Sequence, residues 1–114
     1  MILRVQPSAR IQGRVRLPAS KSYSIRAFLI AACGGISTII HPSDCDDAEV
    51  ALAVARKLGA KVSLVAPGKW RIVAHATKKK SPQINVGESG TVLRFLLPLL
   101  PFFQKKAAVT GRGT

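Results

Sequence analysis

The densest chemistry in this sequence lies in Ser20-Lys21-Ser22-Tyr23-Ser24-Ile25-Arg26, where three serine hydroxyls and two cations share seven residues. The seven that follow, from Ala27 through Cys33, carry no charged or hydroxyl side chain. A polar start feeding an apolar body reads as a buried helix with an open N-terminus. Such a start leaves its first backbone N–H groups without intrahelical partners and carries roughly half a positive charge. Lys21 and Arg26 add mobile counter-charge about one turn apart, so the stretch suits a phosphate or a carboxylate. A capped core helix with two cations lying over apolar surface fits the same residues. Taken alone, the stretch leaves both readings open.

A second stretch repeats the device. Gly87-Glu88-Ser89-Gly90-Thr91-Val92-Leu93-Arg94 is a glycine- and hydroxyl-bearing turn leading into an apolar helix, with Arg94 near its first turn. Glycines there permit positive φ and close backbone approach, as an oxyanion cradle often needs. Two anion-ready helix starts in one small domain imply a substrate with two anionic ends, or two anionic substrates.

The elements that must position these starts follow from periodicity. Residues 3–6 and 12–17 alternate apolar and polar side chains and predict two short strands, joined by Pro7-Ser8-Ala9-Arg10 and closed by Pro18. A helix is expected from Lys21 to about Cys33, stopped by Gly34-Gly35, then a strand over residues 37–41. Ser43-Asp44-Cys45-Asp46-Asp47 has the hydroxyl and carboxylates of a capped helix start. Val50, Val54 and Leu58 then give one apolar face, and Gly59 closes the helix. Residues 61–65 and 70–74 flank Ala66-Pro67-Gly68-Lys69 as a hairpin, with Trp70 covering the sheet. Residues 83–86 form a short strand. The last helix should run from Val92 to about Leu100, kinked at Pro98 and ended by Pro101, before a strand at 107–110. The predicted order ββ–α–β–α–ββ–β–α–β is an alternating α/β fold.

Composition narrows the function classes. At 114 residues with 47% hydrophobic and 20% charged residues, the chain has the size of one globular domain. No apolar run approaches the roughly 20 residues of a membrane span, and residues 1–5 lack the layout of a signal peptide. Cys33 and Cys45 show no metal or redox spacing and read as reduced cytoplasmic thiols. His41 and His75 stand alone and read as structural or surface residues. Lys and Arg total 18 against 5 acids, a net charge of +13. Four of those acids (Asp44, Asp46, Asp47, Glu49) fall within six residues, which leaves nearly all other surface positive. That field attracts anions of any kind, nucleic acid and small phosphorylated metabolites alike. The aspartate cluster lacks the alternation and glycine of a calcium loop, so helix capping explains it better than a metal. A Walker loop would need glycine where Val15 and Ser20 stand, and no GxGxxG follows a strand.

Leu17-Pro18-Ala19-Ser20-Lys21-Ser22-Tyr23-Ser24-Ile25-Arg26-Ala27 resembles the L-P-x-S-K-S-x-S-x-R-A signature of the 5-enolpyruvylshikimate-3-phosphate synthase (3-phosphoshikimate 1-carboxyvinyltransferase) family. Gly87-Glu88-Ser89-Gly90-Thr91-Val92-Leu93-Arg94 is similar to that family's G-E-S-G-T-x-x-R form of a second signature. The Asp44-to-Asp47 helix start and the Leu58-Gly59-Ala60 turn also fall where the family has them. The resemblance implies an inside-out α/β barrel built of βαβαββ units, of which this chain would be an incomplete part. Residues 1–20 would lie near the interdomain hinge, residues 21–114 would open the N-terminal substrate-binding domain, and the second domain is absent from the sequence. The implied reaction transfers the enolpyruvyl group of phosphoenolpyruvate to the 5-hydroxyl of shikimate 3-phosphate, releasing phosphate, in aromatic amino-acid biosynthesis. By position Lys21 would touch both substrates, Ser22 and Arg26 would hold shikimate 3-phosphate, and Gly90 would offer its backbone to phosphoenolpyruvate. No metal or organic cofactor is implied, and the location is cytoplasmic. The family's acid–base aspartate and lysine, and a further arginine past Thr110-Gly111, have no counterpart here, so the chain alone should be inactive. Phe95, where many members have proline, leaves the last helix less bent at its start.

Other classes remain in view. A basic nucleic-acid-binding module fits the charge and Lys78-Lys79-Lys80, but 5% aromatics offer few stacking platforms and no helix reads as a recognition helix. RNA 3′-phosphate cyclase shares the repeat fold without these motifs. The enolpyruvyl transferase acting on a UDP-amino sugar usually has asparagine where this chain has Ser22.

Overall fold

The computed structural model describes residues 1–75, 82–103 and 106–113. Its elements are α1 (Lys21–Ala32), β1 (Gly35–Ile40), α2 (Asp46–Lys57), β2 (Lys61–Ala66), β3 (Lys69–Ala74), β4 (Gln83–Asn85), α3 (Gly90–Phe103) and β5 (Ala108–Thr110). The run α1-β1-α2-β2-β3 is the expected βαβαββ unit without its leading strand. The Lys78-Lys79-Lys80 turn expected from the sequence lies outside the described residues.

Strands β1, β3 and β2 form an antiparallel sheet with β3 in the middle. The β2–β3 hairpin turns at Pro67-Gly68, where proline presets φ and Gly68 takes +65°. The backbone N–H of His41 donates to the Gly68 carbonyl at 2.6 Å, tying the end of β1 to this turn. β4 and β5 pair in parallel, with α3 as their crossover.

Helices α1 and α2 pack side by side over the antiparallel sheet, and α3 lies against both. Alanines make the close approach possible: Ala31, Ala32, Ala48, Ala51 and Ala55 are all buried. Ile25, Phe28, Ile72, Ile84, Val92 and Leu96 fill the space around them. Cys33 and Cys45 are free thiols.

Three expectations need correction. Residues 1–20 form no strand and every one of them is exposed. The predicted link does bend, with the Ser8 hydroxyl donating to the Arg10 carbonyl, but no ladder follows. A lone two-stranded ribbon is marginal in water, and no third strand or helix packs on this one. The radius of gyration is 17.9 Å, against about 13 Å for a compact chain of this length. Second, α3 passes through Pro101 and ends at Phe103. Proline there forfeits one hydrogen bond, while buried Leu96 and Leu100 and half-buried Phe103 hold the helix to the core. Third, α2 starts at Asp46, and its cap residue Cys45 makes no side-chain cap bond. Asp46, Asp47 and Glu49 do occupy the first turn, and Asp47 has further partners.

Candidate functional site

The three serines of the first motif divide their labour. The Ser20 hydroxyl accepts from the Tyr23 N–H at 3.4 Å and caps α1. Ser24 is buried. Its hydroxyl donates to the Ser20 carbonyl at 2.8 Å and accepts from the Ser43 N–H at 2.7 Å, fastening the approach to α2 onto the first turn of α1. Ser22 is exposed, and its hydroxyl has no partner among the described residues. Of the three, only Ser22 is available to a ligand.

The cations also differ. The Lys21 ammonium lies 2.9 Å from Asp47 Oδ2, in a pair that leaves the lysine side chain about half exposed. Ser89 first, and Lys21 second, hold the Asp47 carboxyl below the usual range. The same carboxylate raises Lys21 above the ordinary lysine value, through its hydrogen bond first and its charge second. Ser89 is buried, and its oxygen also accepts from the Val92 N–H at 3.3 Å, capping α3. Arg26 curls back so that Nη1 donates to the Ser22 carbonyl at 3.0 Å. Its guanidinium stands 4.7 Å from the centre of the Phe95 ring on α3. Arg94 is exposed and has no partner among the described residues.

These contacts fix the relative direction of the helices. Lys21 at the start of α1 pairs with Asp47, whose carboxyl Ser89 at the start of α3 helps to hold low. About one and a half turns further in, Arg26 meets Phe95. The two helices therefore run the same way, with their electropositive ends together. α2 starts at this end too, because both Asp47 and Ser43 reach α1 there. Acids occupy the first turn of α2, whereas the first turns of α1 and α3 have none. Neither start has an acid of its own, and the carboxylate beside the start of α1, Asp47, is paired with Lys21.

Gly90 opens α3. Its φ is ordinary, and a Cβ built on it would meet nothing within 4 Å. Among the described residues neither backbone strain nor packing calls for glycine there. Gly111 is the reverse case, since a Cβ on it would lie 3.2 Å from the Gly87 carbonyl oxygen. The Arg112 N–H donates to that same oxygen at 2.7 Å, which secures β5 against the turn before α3.

Sequence reasoning assigned Asp47 only to capping and helix-dipole duty and gave Ser89 no individual role. The signal was present: four of five acids crowd one helix start in a chain of net charge +13. Among the described residues no group of His, Cys, Asp or Glu could hold a metal ion. No described helix is long and apolar enough to cross a membrane.

The comparisons with known proteins converge. The 3-phosphoshikimate 1-carboxyvinyltransferase of Chlamydia caviae is 35% identical over 114 residues, covering 95% of this chain and 24% of that protein. The Acetivibrio thermocellus protein of the same name is 42% identical over 98 residues, covering 83% of this chain and 23% of its own. In the solved structures, an EPSP synthase from Acinetobacter baumannii matches the fold with a TM-score of 0.71 at 24% identity, over 87% of this chain and 23% of that one. The chain thus spans about a quarter of the length of the curated relatives it matches. The sequence model of the EPSP synthase family matches residues 5–113, nearly the whole sequence, and this chain belongs to that family, the 3-phosphoshikimate 1-carboxyvinyltransferases.

Proposed function

We propose that this chain supplies part of the substrate site for enolpyruvyl transfer from phosphoenolpyruvate to the 5-hydroxyl of shikimate 3-phosphate. The observation that carries the reading is the shared end of α1 and α3. Two helix starts without acids in their own first turns lie at this end with the Lys21 ammonium, the exposed Ser22 and Gly90, and the Arg26 guanidinium lies over Phe95 just beyond. Both substrates are small polyanions whose mutual repulsion must be offset before they can react. In this reading Ser22 and Arg26 hold the phosphoshikimate, Lys21 touches both substrates, and the Gly90 backbone faces phosphoenolpyruvate.

The substrate hydroxyl adds to the enol carbon of phosphoenolpyruvate, and phosphate leaves from the tetrahedral product. Among the residues carried over from the two signatures, Lys21 is the one suited to proton transfer, and one group does not complete acid–base catalysis. The chain alone therefore binds and does not turn over. Charge-assisted hydrogen bonds contribute about 1.5–3 kcal/mol each. Two of them, with two helix starts, give on the order of 4–8 kcal/mol. Losses of translational and side-chain freedom offset much of that, so affinity should be about millimolar. Residues 1–20, extended and exposed, are assigned to the hinge toward a second domain, and the setting is cytoplasmic.

Calorimetric titration with shikimate 3-phosphate, comparing the parent with Lys21→Ala, tests the site. Indistinguishable heats would remove Lys21 from it. Steady phosphate release by the isolated chain from the two substrates would overturn the assignment of inactivity.

A further inference from the structure

We propose that Asp47 is a positioning residue for this anion site: by accepting from Lys21, it fixes the ammonium at the mouth shared by α1 and α3. The inference rests on the reading of that mouth as the binding site. Three acids lie in the first turn of α2, and any of them serves the dipole of α2. Asp47 alone of these makes the cross-helix contact, to Lys21 at 2.9 Å. Ser89, which caps α3, also holds the Asp47 carboxyl low. One carboxylate thus ties the start of α2 to that of α1. Lysine has a long flexible stem and a compact charge, so an unpinned Lys21 would sample many positions over its exposed surface. An ammonium has further N–H donors beyond the one engaged by Asp47, and these stay available to ligand oxygens.

A plain electrostatic view makes the opposite forecast. Replacing an aspartate by asparagine raises the net charge from +13 to +14, which should tighten the binding of any anion. Asp46 lies in the same first turn, has no partner among the described residues, and serves as the charge-matched control.

The test is a chemical-shift titration of the 114-residue chain with phosphoenolpyruvate, alongside a pH titration of the Lys21 side-chain carbon signal. Asp47→Asn should weaken binding about fivefold, the scale of coupling within one polar network. Asp46→Asn should leave binding unchanged or tighter. The Lys21 titration should move down in Asp47→Asn only, which a merely structural effect on α2 would not produce. Asp47→Glu, which keeps a charged acceptor on a longer arm, should recover part of the affinity. Binding by Asp47→Asn as tight as the parent's, with Lys21→Ala weakened, would overturn the positioning role alone. Binding by Lys21→Ala equal to the parent's would overturn the site itself. Should Asp47→Asn not fold, an unshifted Lys21 titration in Asp47→Glu with full affinity supports the role, and full affinity with Lys21 at its ordinary value refutes it.

Discussion

Ser24→Ala is the substitution whose cost can be worked most directly from the structure. Ser24 is 5% exposed, and its hydroxyl stands between two backbone groups. The Ser20 carbonyl would survive the loss, because the Ser24 N–H already donates to it at 3.0 Å. The Ser43 N–H would not, since the Ser24 hydroxyl at 2.7 Å is its acceptor. A hydrogen bond contributes about 1 kcal/mol net, and stranding a buried donor costs about 1–3 kcal/mol more. Ser43 is half-buried, so the low end of that range applies. Alanine's better helix propensity returns about 0.5 kcal/mol. The expected loss is about 1.5–2 kcal/mol.

Urea unfolding followed by the fluorescence of half-buried Trp70 reads this loss. With a slope of about 1.5 kcal/mol per molar, the midpoint should fall by roughly 1 M. Ser22→Ala, one helical position pair away and exposed, should move stability by no more than about 0.5 kcal/mol. If Ser24→Ala shifts the midpoint no more than Ser22→Ala does, the division between a structural and an available serine is wrong.

Stability should respond to pH at both extremes. The carboxyl of Asp47 is lower in the folded than in the unfolded chain, so the unfolded state binds more protons as pH falls. Its contribution is therefore complete above the ordinary carboxylate range and lost as pH drops through the folded value. Lys21 is raised, so its contribution is complete below the ordinary lysine range and lost as pH climbs through the folded value. Melting curves of parent and Asp47→Asn should accordingly converge toward acid pH, and a gap that stays constant would refute the linkage. Gly111→Ala should cost about 1–2 kcal/mol in urea unfolding, because the atom it meets is backbone and cannot move aside freely. Unfolding that matches the parent's would show that the turn yields. Phe28→Ala, emptying a fully buried position, should cost about 3–5 kcal/mol, and a midpoint near the parent's would mean that the core is not packed around it.

Local physics was enough to read most of the fold. Apolar spacing placed α1, α2 and the β2–β3 hairpin, because each carries its own start and stop signals within the segment. The failures share a cause. Residues 1–20 alternate like strands, but pairing is decided by a neighbour that periodicity cannot supply. Pro101 looks like a terminus until the burial of Leu100 and Phe103 is known. Capping by Ser43 or Asp44 was a sound local rule, but the helix begins later, with Cys45 as its cap, and the Ser43 hydroxyl accepts from the Cys45 N–H. The candidate site was legible as two separate motifs, 70 positions apart between Ser20 and Gly90. That they meet depends on Asp47 and on α1 and α3 running parallel, both products of tertiary contact.

Gly90 provides the clearest separation of folding from binding. No described residue approaches within 4 Å of where its Cβ would stand, and its φ lies outside the left-handed region. Within a helix, alanine is favoured over glycine by about 1 kcal/mol, less at the first position. Gly90→Ala should therefore leave the melting temperature unchanged or raise it. A ligand seated against the start of α3 would meet the new methyl group, which leaves the N–H donors in place and narrows the approach to them. The loss should then grow with ligand size: small for inorganic phosphate, larger for phosphoenolpyruvate. Side-by-side titrations of parent and variant with both anions measure it. Equal affinities for phosphoenolpyruvate would mean that the open space beside Gly90 is not where that substrate rests. A fall of several degrees in melting temperature would mean instead that the glycine serves the fold after all.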